Sequence, residues 1–72
     1  MYFRRLKELR EDHDLLQKDI AKLLGIKQHV YSRYERGMQC IPIRHLLPLA
    51  DYYNVSTDYI LGRTNDPTFH KK

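Results

Sequence analysis

Apolar residues along this chain recur at helical spacing in short blocks, separated by glycine, proline or polar breaks. Residues 2–14 place Phe3, Leu6 and Leu9 on one face and charges elsewhere, which predicts a first helix. The i, i+3, i+4 spacing returns with Ile20, Leu23 and Leu24, stops at Gly25, and is followed by Ile26, Tyr31 and Tyr34. This predicts two short helices over 17–36 joined by a tight turn. Gly25 supplies the left-handed residue with which a helix commonly ends. The small Ala21, beside Ile20, lets the second helix of the pair cross the first closely. That second helix runs over about 28–36 and Gly37 closes it.

After a loop at 38–41, Pro42 precedes a fourth helix over about 44–53, with Leu46, Leu47, Leu49 and Ala50 inward. Pro48 lacks an N–H and crowds the carbonyl of Arg44. Because Arg44 lies in the first turn, the expected damage is a kink or a ragged start. Asn54 or Val55 breaks this helix, Ser56 caps a fifth over 57–61, and Gly62 ends it. Residues 63–72 are polar, contain Pro67, and read as a loose tail. The pattern is therefore a small all-α domain of five helices over 1–62, followed by that tail.

Two helix starts are poorly capped. Leu16 cannot accept a hydrogen bond from the exposed N–H groups of the helix that Gln17 opens, so that cap is missing or is taken over by Asp14, at a cost of about 1 kcal/mol at most. Lys27, at the N-cap of the next helix, adds a cation where the helix dipole is already positive. A phosphate nearby would relieve it, which makes Lys27 a candidate phosphate contact.

Composition narrows the function classes. Seventy-two residues allow one small core and no second catalytic or sensing domain. No apolar run approaches a membrane span, and the start MYFRRLKELR lacks the layout of a secretory signal. The single Cys40 offers no internal disulfide, so an intracellular, cytoplasmic protein is expected. His13, His29, His45 and His70 lack ligand-like spacing, and no nucleophile–base or paired-carboxylate arrangement is present. Neither a metal, another cofactor nor an enzymatic activity is expected. The charge is more telling: residues 17–44 hold six bases and two acids. A surface of that sign suits a polyanion.

Two such helices around a tight turn make a helix-turn-helix, whose second helix can enter the DNA major groove. Gln28 stands at the exposed start of that helix, and its amide can pair with adenine N6 and N7. His29 faces a base edge, a thymine methyl or a phosphate, or idles in solvent. One turn on, Ser32 permits close approach, while Arg33 either forks onto guanine O6 and N7 or holds a phosphate. Val30 contacts a thymine methyl or packs. Gln17 and the free N–H groups beside it suit a phosphate. Arg36 and Arg44 flank the following loop as backbone clamps.

In Gln17, Ala21, Leu24-Gly25-Ile26, the run Tyr31 to Gly37, Leu49-Ala50, Asn54-Val55-Ser56 and Leu61-Gly62, the chain resembles the phage repressor and Cro-type (XRE-type) helix-turn-helix regulators. The resemblance covers roughly residues 3–62. It implies a repressor-type regulator of duplex DNA, most economically a homodimer on a palindromic operator. It also implies an Arg10–Glu35 salt bridge between the first and third helices, and a dimer surface at the fifth helix with Tyr53, Tyr59 and Ile60. Tyr31 and Tyr34 take core positions, their hydroxyls reaching solvent or a partner. Leu16 and Lys27 depart from the Ser or Thr usual at the two caps, and Pro48 from the usual helix former. An antitoxin-like or accessory protein holding a protein partner is the alternative on the same fold.

Overall fold

Five helices follow one another in the computed structural model, which describes residues 2–68: α1 (Arg4–Asp12), α2 (Gln17–Leu24), α3 (Gln28–Glu35), α4 (Ile43–Tyr53) and α5 (Thr57–Ile60). No strand occurs among the described residues. α2 packs on α3, α4 on α5, and α1 lies between α3 and α5, touching both. The core gathers Leu6, Ile20, Tyr31, Leu49 and Ile60, all fully buried, with Leu9, Ala21, Tyr34, Leu46, Ala50, Tyr53 and Val55 around them.

The turns that separate the helices are closed by left-handed residues. Gly25 (φ 69°) ends α2, and the N–H of Ile26 donates to the carbonyl of Ala21 at 2.9 Å. Asn54 (φ 56°) does the same for α4, where the Val55 N–H donates to Ala50. A Cβ at Gly25 would meet nothing within 4 Å, so only backbone strain opposes a side chain there. Gly25→Ala is therefore expected to cost about 1–2 kcal/mol, and Gly25→Asn distinctly less, since Asn tolerates this region. Urea titration of the two variants checks the ordering.

Several expectations need correction. Asp14 does not cap α2: it adopts a left-handed conformation itself (φ 56°), terminating α1, and the Leu15 N–H reaches back to the Arg10 carbonyl at 3.0 Å. The Leu16 N–H instead donates to the Asp19 carboxylate at 2.9 Å, which satisfies that one donor, while the first turn of α2 has no side-chain cap. Leu23 and Leu47, assigned inward on spacing alone, are 46% and 52% exposed. On these short helices the buried stripe is only about two residues wide, and α2 turns Ile20 and Ala21, not Leu23, to the core. α1 starts at Arg4 and α4 at Ile43, and Pro48 sits on an exposed position within an otherwise continuous α4.

The hydroxyls of the core tyrosines also differ from expectation. Tyr34 Oη pairs with His45 Nδ1 at 3.3 Å, but those of Tyr31 and Tyr53 are buried with no hydrogen-bond partner within reach among the described residues. Burial foremost, and then the negative charge of Glu35, raise both phenols far above the ordinary value of 10. Above pH 10 the unfolded chain releases these protons while the native state retains them, so native stability falls as pH rises. The expected slope is about 1.4 kcal/mol per pH unit for each group. Tyr53→Phe should remove half of that slope and leave stability at pH 7 equal or higher, since a buried unpaired hydroxyl is lost. Denaturant titrations at pH 7 and above pH 10 measure both.

The tail expected to be loose is held in its first part. The carbonyl of Pro67 accepts from the Ser56 N–H at 3.1 Å, and Thr64 and Asn65 are bound by Arg5. The remainder of the tail, 69–72, lies outside the described residues.

Candidate nucleic-acid interface

α3 is divided lengthwise. Tyr31, Tyr34 and Glu35 are buried against the core, at the i, i+3, i+4 positions of one face. The residues left on the opposite side are Gln28, His29, Arg33 and the C-cap Arg36, all exposed, with Ser32 half-buried among them. Val30 is half-buried and packs on the core margin. Two polar side chains at the helix start, and an arginine one turn later, thus share one solvent-facing strip.

The buried side of α3 is fixed by charge. Arg10 Nε donates to Glu35 Oε2 at 2.6 Å, and Arg10 Nη2 to Oε1 at 3.2 Å. Arg10 Nη1 reaches the Leu15 carbonyl at 2.8 Å. Glu35 is 3% exposed, and its hydrogen bond to Arg10 raises the guanidinium pKa further. A third donor completes the carboxylate: Gln17 Nε2, at 3.1 Å from Oε1. This ties α1, α2 and α3 at one buried point. It also changes what Gln17 has to offer, because its amide nitrogen is engaged inside the domain. The backbone N–H groups of α2's first turn remain, next to the Asp19 carboxylate.

Lys27, exposed, stands at the N-cap of α3 in an extended conformation, without a side-chain cap, and the first turn holds no acid. The positive end of this helix dipole is thus reinforced, not offset. At the other end of the unit Arg36 closes α3 and Arg44 lies in the first turn of α4, both exposed. His45, next to Arg44, is held against the Tyr34 ring at 5.9 Å, and burial first, then Arg44, lowers its pKa. An anionic ribbon laid along Lys27, the α3 strip and Arg36 would meet positive charge throughout.

Two of the three residues assigned to a dimer surface, Tyr53 and Ile60, are core residues at 5% and 1% exposure; only Tyr59 is half-buried. One residue of evident importance was overlooked. Arg5, beside the exposed Arg4, is buried. Its signal was available: 5, 6, 9 and 10 form one stripe of α1, so Arg5 shares the face that buries Leu6, Leu9 and Arg10.

Comparison with known proteins agrees with this geometry. A family model described as helix-turn-helix matches residues 6–60. An uncharacterised HTH-type transcriptional regulator of Bacillus subtilis (strain 168), YobD, is 43% identical over 67 residues, covering 93% of this chain and 60% of that protein. The HTH-type transcriptional regulator ImmR of the same organism is also 43% identical, over 83% of this chain and 47% of ImmR. The cryptic phage CTXphi transcriptional repressor RstR of Vibrio cholerae is 31% identical over 76% of this chain and 50% of its own length. The crystal structure of a transcriptional regulator from Listeria innocua superposes with a TM-score of 0.80 at 25% identity, covering 100% of this chain and 62% of that one. This chain thus spans less than two thirds of the proteins it matches. From the divided α3, its buried anchor and these matches together, the chain belongs to the XRE-type helix-turn-helix family of transcriptional regulators.

Proposed function

We propose that this domain binds duplex DNA sequence-specifically in the cytoplasm as a repressor-type regulator, with α3 in the major groove. The observation that carries this is the strip of exposed Gln28, His29 and Arg33, with half-buried Ser32 among them, on a helix whose other side is locked by Arg10 and Glu35. Gln28 and Arg33 read base edges, while Lys27, Arg36, Arg44 and the α2 N-terminus at Gln17 hold phosphates. One such helix reaches few base pairs, so two copies on a palindromic operator, with half-sites about 34 Å apart, give the selectivity a regulator requires. The α5 end, with half-buried Tyr59 and Leu61, is the surface proposed for pairing.

Selection of bound sequences from a random duplex pool tests this. A palindromic enriched site is the expected result; no enrichment at physiological ionic strength overturns it. On the enriched site, affinity should fall steeply with salt. Lys27→Ala should reduce the logarithmic salt slope by about one unit, in the manner of a lost phosphate contact. A slope unchanged by that substitution removes Lys27 from the interface.

A second reading has one observation in its favour. The Antitoxin PezA of Streptococcus pneumoniae is 34% identical over 86% of this chain, although this covers only 39% of PezA. On that reading the DNA-binding domain also holds a protein partner. Stable co-purification of a neighbouring gene product would favour it.

A further inference from the structure

α1 carries two buried arginines, and only one of them faces the recognition helix. Arg5 is 8% exposed and is met by uncharged acceptors. Its Nη1 donates to the carbonyls of Tyr59, at 2.7 Å, and Thr64; its Nη2 donates to Asn65 Oδ1 at 2.7 Å. The guanidinium also lies 4.0 Å over the Tyr59 ring. No carboxylate pairs with it among the described residues. A buried cation with only dipoles and a π face around it is costly unless each donor is well placed. The guanidinium fork meets that condition in a way that a lysine ammonium does not.

Every group that Arg5 holds lies in 59–65, the end of α5 and the turn after it. This segment is closed at further points: the Arg63 N–H donates to the Asp58 carbonyl at 2.8 Å, and the Ser56 N–H to the Pro67 carbonyl. Five residues along the same helix, Arg10 grips Glu35 of α3. α1 is therefore a strut with one arginine on the reading helix and another on the α5 end.

We infer that Arg5 is a positioning residue that, through α1, sets the α5 end relative to α3 and so selects the spacing between half-sites. This rests on the pairing of two copies at the α5 end proposed above. It separates two properties: base preference within a half-site belongs to α3, and tolerance of half-site separation belongs to Arg5.

The test uses the full chain and a series of duplexes carrying two copies of the selected half-site at stepped separations, alongside a single half-site. Wild-type protein should favour one separation by about 100-fold over those two base pairs shorter or longer. Arg5→Lys, which keeps the charge and loses the fork, should lower that preference to about tenfold or less. Its affinity for the single half-site, and the base preference there, should not change. Amide exchange of Ser56 should quicken in the same variant, which reports release of the segment. Asn65→Ala, at an exposed residue, removes one acceptor without risk to the core, and should move both readouts in the same direction if Arg5→Lys does not fold. Retention of the full spacing preference in the folded variants overturns the inference, whether or not exchange quickens. Equal weakening at every separation also overturns it, since that is the mark of a merely structural clamp. If wild-type protein shows no spacing preference at all, it is the two-copy reading that fails.

Discussion

Arg10→Met should cost about 3–5 kcal/mol of stability, the loss typical of a buried ion pair stripped of one partner. Glu35 would lose both guanidinium donors and keep Gln17 Nε2, for a carboxylate that is almost fully enclosed. A domain of this length has roughly 4–11 kcal/mol in total, so the variant should be partly unfolded at 37 °C and bind DNA poorly. The informative comparison is the double variant Arg10→Met with Glu35→Leu. Burying the pair is itself expensive, and an apolar replacement of similar volume is often neutral or better. The double variant should therefore recover to within about 1–2 kcal/mol of wild type, with Gln17 free to turn to solvent. Chemical denaturation of the four proteins in the cycle decides the matter. If the single and double variants are equally unstable, the pair contributes through packing and not through the uncompensated charge.

Gln28→Ala combined with Arg33→Ala should have a large effect of the opposite kind. Both residues are exposed and neither side chain makes a hydrogen bond among the described residues, so stability should change by no more than about 0.5 kcal/mol. Discrimination should suffer: each bidentate base contact typically contributes about 1–3 kcal/mol against a wrong base. The double variant should bind the selected operator little better than a scrambled duplex, while its affinity for the scrambled duplex stays near that of wild type. Competition titrations at one stated salt concentration measure the ratio. Loss of affinity on both duplexes alike would identify Arg33 as a phosphate contact, which positions the protein without reading sequence.

Much of the architecture could be read because local rules and global packing agree here. Gly25 ends α2 in the conformation that its position suggested, Ser56 caps α5 through a bond to the Tyr59 N–H at 3.0 Å, and Asn54 stops α4. The outward strip of α3 followed from Tyr31 and Tyr34 alone, since fixing two buried positions on a helix fixes what faces away. Where periodicity was taken literally it overreached. Leu23 and Leu47 fit the spacing, yet each helix has only two or three turns, and which part of its apolar arc is covered depends on where a neighbouring helix crosses.

Chain pattern alone was enough to establish the number of helices, their breaks, the helix-turn-helix and the positive sign of its surface, because spacing, turn residues and charge are local quantities. Tertiary packing decided the rest. It buried Arg5 while leaving Arg4 in solvent, turned Gln17 toward Glu35, made Asp14 a helix end instead of a cap, and drew Tyr53 and Ile60 into the core. In each case the outcome depends on groups distant in sequence that enclose a side chain and supply its hydrogen bonds, and no local pattern encodes those.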